Sequence, residues 1–449
     1  MVSWGAMRDR VTSADLSLPI EGMSSDLRTA NGTESSYPYQ SLVAPQQRPP
    51  LSASEILEVC RGKSLVAKAE LLFEARSKLA EYQCQEDIEG SSFQIGQMVM
   101  LPTKGTAYFM SDLEGRSDLV AQLIDRERLI ERWRKNDPND QVFLCILGDI
   151  VDRNTSSSLL VDLLLELKCR HGFSRNILIL SGNHEVTPSV QKFDGRGLYQ
   201  EITTGRTLPL PPAEFNDPIV QELINMSGSP EIQDTDERER GPGRLESARE
   251  GLWKLYNEVF SLFPTSIVTP QGGYFAHAGF PVRGSFEGIY KDITRTEDEN
   301  RRYLTSLARY AEEPHSRATR DTTADITWSN LTPELDDVGS GGMFGPNWKR
   351  GIGGKPGPGV AFGLLAFEHF ASIGGFTLFL RGHQVTRPEH PSVQRVTSTV
   401  WRYGPILTIA NGMKGGYAVL DLAITNPDPD SVGLKKLDDD VELDFSLKL

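Results

Sequence analysis

Five short stretches of this chain carry carboxylates, an amide and imidazoles at turns. They are Ser111-Asp112-Leu113-Glu114-Gly115, Gly148-Asp149-Ile150-Val151-Asp152-Arg153, Gly182-Asn183-His184-Glu185, Ala276-His277-Ala278-Gly279 and Arg381-Gly382-His383-Gln384. Oxygen and nitrogen ligands of these types suit divalent cations, and a two-metal phosphoryl site needs one carboxylate that bridges ions roughly 3.5–4 Å apart. Asp149 is the natural bridge, because it stands where the apolar run Val142 to Leu147 stops. Asp112 follows Tyr108-Phe109-Met110, Asn183 follows Asn176 to Ser181, and His277 and His383 each end a further apolar run. In an open α/β sheet the ligand crevice lies at the carboxyl ends of strands, where all five stretches fall. Any one of these histidines alone is more often a structural residue. In series they point to metal-assisted phosphoester chemistry.

The elements that must position these residues alternate. Helical periodicity covers residues 52–82, with Ser52 or Ser54 as cap and Ile56, Leu57, Leu65, Ala69, Leu72, Ala75 and Leu79 on one face. Strands are predicted over 105–112, 141–148 and 176–181, with a charged helix at 118–135 and an apolar one at 156–169. This rhythm calls for an α/β architecture. Residues 203–250, with Pro209, Pro211, Pro212, an acidic stretch and Gly241-Pro242-Gly243, break it and read as a surface insertion. A helix over 245–262 leads to the strand Tyr274-Phe275-Ala276; residues 292–325 read as a charged helical stretch. Residues 338–359 hold nine glycines and read as a long loop. A helix near 360–373 and strands near 376–380, 396–401, 405–410 and 417–424 complete the pattern. The domain reading is therefore a disordered leader at 1–50, a helical extension at 51–100, a catalytic domain at 101–425 and an acidic mobile tail at 426–449.

The 449 residues are 38% apolar and 24% charged, enough for a large core, and the net charge of −14 argues against a nucleic-acid or anionic-membrane binder. No apolar run approaches the roughly 18 residues of a membrane span. Cys60, Cys84, Cys145 and Cys169 are scattered without a CxxC pair, which reads as a reduced cytoplasmic protein. The Ser-rich leader equally suits a secreted effector that acts in a host cytoplasm. The sequence does not bear on oligomeric state.

In order and chemistry the five stretches resemble the phosphoprotein phosphatase family of calcineurin-like metallophosphoesterases, as a divergent, bacterial-type member over roughly residues 105–422. Gly-Asp-x-x-Asp-Arg followed about thirty residues later by Gly-Asn-His-Glu is the most specific part. Trp328-Ser329-Asn330 is similar to the family's Trp-Ser-Asp, and Arg381-Gly382-His383-Gln384-Val385 to its Arg-Ala-His-Gln-Val. The resemblance implies a β-sandwich of mixed sheets flanked by helices and two divalent ions, manganese first, with iron, zinc or magnesium as alternatives. Asp112, Glu114 and Asp149 would hold the first ion; Asp149, Asn183, His277 and His383 the second. A metal-activated hydroxide would attack phosphorus in line, with His184 as general acid oriented by Asp152. Arg153 would bind phosphate oxygens together with Arg350, or with Lys355 in its place. The implied substrate is phosphoserine or phosphothreonine in proteins. Ala276-His277-Ala278-Gly279, where many protein phosphatases have His-Gly-Gly, resembles the branches that cleave small phosphate esters and dinucleoside polyphosphates.

One position departs from the family. Its first motif reads Asp-x-His, and this chain reads Asp112-Leu113-Glu114. Glu114 either remains a ligand, harder and more negative than imidazole, or disables the first site and leaves a phosphoprotein-binding module. With seven other site residues in place, the active reading is the expectation.

Overall fold

The structure is a computed structural model, and it describes residues 51–82, 92–95, 97–154, 156–186, 197–204, 214, 216–228, 237–280, 325–337, 344–346, 359–384, 387–398, 400–409 and 416–437. The leader at 1–50, the stretch at 292–324, most of the glycine-rich loop and the chain after 437 lie outside the described residues. In chain order the strands are β1 (Phe93–Ile95), β2 (Met98–Met100), β3 (Thr106–Met110), β4 (Val142–Ile146), β5 (Ile177–Ile179), β6 (Ser266–Val268), β7 (Gly273–Ala276), β8 (Asn330–Leu331), β9 (Phe344–Pro346), β10 (Val360–Phe362), β11 (Leu378–Arg381), β12 (Gln394–Arg395), β13 (Val400–Tyr403), β14 (Ile406–Ile409), β15 (Gly416–Asp421) and β16 (Val432–Lys436). One sheet runs β16-β15-β3-β4-β5, a second β1-β2-β6-β7-β11-β14-β13-β12, and a small third β8-β10-β9.

The two large sheets are mixed. β3, β4 and β5 are parallel neighbours, as are β7, β11 and β14. Side chains alternate across each strand, so the apolar runs of β3 and β4 serve two interfaces. Phe109, Phe143 and Cys145 face the second sheet and pack with Phe275, Leu378, Leu380 and Leu407. Tyr108, Met110, Leu144 and Ile146 face the opposite way, into a helical layer that includes Leu72, Leu123, Leu164 and Leu255. Burial on both faces is why β4 is continuously apolar. On the far side of the second sheet the helix Leu364–Gly374 closes an aromatic cluster, with Phe280 and Phe370 stacked at 4.7 Å and Phe367 and Phe379 at 5.4 Å. Among the described residues no helix is long and apolar enough to cross a membrane.

The N-terminal helices Ala53–Arg61 and Leu65–Tyr82 form where the periodicity places them. The first starts in a capping box, in which Ser52 Oγ accepts from the Glu55 amide at 3.1 Å and Glu55 Oε2 accepts from the Ser52 amide at 2.7 Å. Asp125, in the helix Ser117–Arg126, anchors the same end by accepting from the amides of Ala53 and Ser54 at 2.7 and 3.1 Å.

Four expectations are corrected. The extension at 51–100 is helical only to Tyr82; β1 and β2 follow, and β2 pairs in parallel with β6 as part of the second sheet. The stretch 203–250 is more than a surface insertion, because the helix Pro218–Ser227 buries Val220 and Leu223 in the main core. The helix predicted from 245 begins at Glu237 and runs to Phe260, stabilised by burial of Leu252, Leu255, Tyr256 and Val259. At the other end, β16 pairs with β15 along five residues, so the tail does not begin until after it.

Candidate active site

The strands bring the five stretches to one place because their C-terminal ends converge. Asp112 leaves β3, Asp149 leaves β4, and Asn183 opens the helical turn Asn183–Val186 after β5. From the second sheet, β7 and β11 run in parallel with Ala276 opposite Arg381, which places His277 and His383 side by side. Two hydrogen bonds tie the sheets together at this end. The His383 amide donates to Asp112 Oδ2 at 2.9 Å, and His277 Nδ1 lies 2.8 Å from the Leu147 carbonyl.

Among the described residues nine that are not glycine have positive φ, and six belong to these stretches: Asp112, Glu114, Asp149, Asp152, Arg153 and His383. Aspartate visits this region at modest cost, but glutamate, arginine and histidine do so only when their surroundings dictate it. Strain of about 1–3 kcal/mol per residue, concentrated at one sheet end, marks a functional site.

Four side chains converge on one point. Asn183 Oδ1 lies 3.1 Å from His277 Nε2 and 2.7 Å from His383 Nδ1, and these two ring nitrogens are 3.1 Å apart. Asp149 Oδ2 stands 3.2 Å from His277 Nε2. Ligand atoms of Asp149, His277 and His383 all lie within 4.8 Å of one another. Two further buried oxygens, Asp112 Oδ1 and Glu114 Oε2, have no hydrogen-bond partner among the described residues. Buried carboxylate oxygens left this way cost free energy unless a cation or proton meets them. The donors are oxygens and imidazole nitrogens, so the residues present fit divalent cations of the harder and intermediate kinds.

Beside this cluster sits a buried acid–base pair. His184 Nδ1 lies 2.8 Å from Asp152 Oδ2, while His184 Nε2 points back to Asp149 Oδ2 at 3.8 Å. Asp152 is itself fixed, with Oδ1 accepting from the Leu198 amide at 2.9 Å and its own amide donating to Ser157 Oγ at 2.9 Å. Burial works against the imidazolium of His184, but the charge of Asp149 and the bond to Asp152 outweigh it and push its pKa up to about 9. Burial would likewise raise the Asp149 carboxyl, yet His277 and His184 hold it well below the usual carboxylate range. Glu114 goes the other way: burial pushes it up to about 7, opposed by Arg153 and reinforced by Asp112 and Asp149.

Each predicted residue has a place or lies outside the described residues. Asp112, Glu114, Asp149, Asp152, Asn183, His184, His277 and His383 are all buried at this sheet end. Arg153 joins them as an ion-pair partner of Glu114, with 37% of its side chain exposed. Arg350 and Lys355 lie outside the described residues. Glu185 has no role in the sequence pattern, yet it is buried and accepts from the amides of Gly182, Asp149 and Ile150 at 2.7, 2.9 and 2.9 Å. It clamps the loop that carries Asp149 to the loop that carries Asn183. An acid directly after a motif histidine was the available signal. Gln384 has no assigned role in the sequence pattern either; its amide pairs with both backbone groups of Leu331, at 3.1 and 3.2 Å, and so ties β8 to the His383 turn.

A family model described as calcineurin-like phosphoesterase matches residues 107–387, well over half of the chain. The chain belongs to the calcineurin-like phosphoesterase family. The match spans all five stretches, from Asp112 to Gln384. Among solved structures the chain is similar to a protein serine/threonine phosphatase from Saccharomyces cerevisiae with similarity to human phosphatase PP5, at 15% identity and a TM-score of 0.47, covering 83% of this chain and 89% of that one. It is also similar to a cold-active protein-tyrosine phosphatase of a psychrophilic Shewanella species, at 14% identity and a TM-score of 0.37, covering 74% and 78%. No curated protein matches the chain. As a member of this family the chain carries a metallophosphoesterase domain, and the cluster around Asp149 is its candidate metal centre.

Proposed function

We propose that this phosphoesterase is a protein serine/threonine phosphatase of the phosphoprotein phosphatase type, dependent on two divalent ions, with manganese the first choice. The observation that carries the reading is the position of Asp149, with His277 Nε2 at 3.2 Å on one side and His184 Nε2 at 3.8 Å on the other. A carboxylate there serves a metal cluster and an acid group together. Asp112 and Glu114 would hold one ion with Asp149, and Asn183, His277 and His383 the other. When bound, the ions supply Lewis acidity, lowering the pKa of a water and neutralising phosphate charge.

The protein's own groups do the rest. Asp152 accepts at His184 Nδ1, so the transferable proton sits on Nε2, the nitrogen that faces Asp149. The imidazolium that Asp152 stabilises at Nδ1 can protonate a leaving alkoxide from Nε2. Arg153 binds phosphate oxygens, with Arg350 as the second arginine. The substrate is a phosphorylated protein segment; neither nucleic acid nor membrane is a partner in this scheme. Cys60, Cys145 and Cys169 are buried free thiols, which suits a cytoplasm, the cell's own or a host's.

The test is phosphate release from p-nitrophenyl phosphate and from a phosphothreonine peptide with Mn²⁺, with and without chelator, beside Asp149→Asn. Chelator-sensitive turnover that Asp149→Asn abolishes supports the reading. The residues Ala276-His277-Ala278-Gly279 favour a second substrate class, small phosphate esters and dinucleoside polyphosphates. Faster turnover of diadenosine tetraphosphate than of the peptide selects it. No turnover with any metal leaves a phosphoprotein-binding module.

A further inference from the structure

The two oxygens of Glu114 have different surroundings. Oε1 takes an ion pair from Arg153 Nη1, whereas Oε2 is buried without a hydrogen-bond partner among the described residues, as is Asp112 Oδ1. The carboxylate is 1% exposed, its backbone amide donates to the Asp149 carbonyl at 2.9 Å, and φ is +48°. Backbone and side chain are therefore both fixed, and Oε2 cannot turn outward to water without breaking the pair on Oε1.

We propose that Glu114 is a bridging residue, holding the first metal with Oε2 and the guanidinium of Arg153 with Oε1. The inference rests on the phosphatase reading for the role of Arg153 and goes beyond it by giving the His-to-Glu departure a function. An imidazole cannot do both jobs. Once one ring nitrogen binds a metal, the other carries a proton and can only donate, and a guanidinium has no acceptor to offer it. A carboxylate has an acceptor for each partner. Glu114 thus makes the orientation of a phosphate-binding arginine depend on the metal site beneath it, while over a third of the Arg153 side chain stays exposed.

The test uses the full chain loaded with Mn²⁺ and then desalted. Bound metal is measured by mass spectrometry and the affinity for inorganic phosphate by calorimetry. Glu114→His is expected to keep the wild-type metal content and to lose about tenfold in phosphate affinity, the scale of one charge-assisted bond. Arg153→Ala should lose as much, and Glu114→His/Arg153→Ala no more than Arg153→Ala alone. The near-isosteric Glu114→Gln, with one acceptor oxygen instead of two, should lose either metal or phosphate affinity. The proposal is overturned if Glu114→His binds phosphate like wild type, or if its loss adds in full to that of Arg153→Ala. It is also overturned if Glu114→His gains a metal that the wild type lacks, or if Glu114→Gln matches wild type in both measurements. Absence of turnover alongside these binding results removes the phosphatase reading and leaves the bridge standing.

Discussion

Substituting Gly382 by alanine tests how the Asp112 and His383 turns interlock. A Cβ at 382 would stand 1.7 Å from Ser111 Oγ, 2.6 Å from Ser111 Cβ and 2.4 Å from Asp112 Oδ2. Neither neighbour has room to retreat. Ser111 and Asp112 are buried, Asp112 Oδ2 accepts from the His383 amide at 2.9 Å, and Ser111 Oγ donates to the same oxygen at 2.7 Å. Overpacking costs about 1–3 kcal/mol, and disturbing a bond to a buried carboxylate adds about 1–3 kcal/mol. Gly382→Ala should therefore destabilise by about 2–6 kcal/mol. Ser111 and Asp112 together exclude a side chain at this position, and Ser111 makes two of the three contacts. Ser111→Gly alone should cost about 1.5–3 kcal/mol for its bond to Asp112. The double variant removes the two serine contacts and keeps only the one with Asp112, so it should be less damaged than the sum by about 1–2 kcal/mol. Urea unfolding of all four proteins with chelator present measures this coupling without metal linkage. Additivity within about 0.5 kcal/mol refutes the interlock.

Other perturbations follow from the same contacts. Glu185→Ala leaves the amides of Gly182, Asp149 and Ile150 without their acceptor and should cost about 3–5 kcal/mol, with Glu185→Gln milder; equal stability of Glu185→Ala and wild type in urea would contradict the clamp. Lys68 and Asp162 form a buried ion pair, and Tyr256 donates to Asp162 at 3.1 Å. Lys68→Met strands that carboxylate and should cost about 3–5 kcal/mol, part of which Asp162→Asn recovers; no recovery means that packing, not charge, sets the cost. Lys168 donates to the Ile177 carbonyl at 2.7 Å, and burial lowers its pKa to about 8. Between that value and the ordinary one of 10.5 the unfolded chain binds more protons, so this group stabilises the fold increasingly as pH rises. Relative to Lys168→Met, wild type should gain about 2 kcal/mol between pH 7.5 and 9.5. A pH-independent difference would refute it.

The site was legible because its ligands sit at the ends of strands buried on both faces. Phe143 and Cys145 pack against one layer and Val142, Leu144 and Ile146 against another, so the sequence stays apolar without interruption until Asp149. What escaped was short or set by distant partners. β1 and β2 have three residues each, too few for a period to show, and β2 finds its partner β6 only some 170 residues later. Val432-Gly433-Leu434-Lys435-Lys436 reads as polar because β16 is an edge strand, where lysine is a common guard. The helix through Gly241-Pro242-Gly243 defies its local propensity, since packing at its later turns outweighs it.

The backbone at Glu114 and His383 shows the same limit at the site itself. Nothing in Asp112-Leu113-Glu114 announces a left-handed glutamate; the conformation follows from the Glu114 amide meeting the Asp149 carbonyl, two strands joined at their ends. Likewise His383 adopts φ +67° because its amide must reach Asp112 Oδ2 across the sandwich. Motif spacing could therefore name the ligands but not how their carboxylates are shared. It treated Glu114 as a choice between ligand and defect. In the folded chain its two oxygens face different groups, one paired with Arg153 and one buried near Asp112 and Asp149 without a hydrogen bond from the described residues. A substitution judged by one ligand position conceals this division, because the second partner is an arginine 39 residues away.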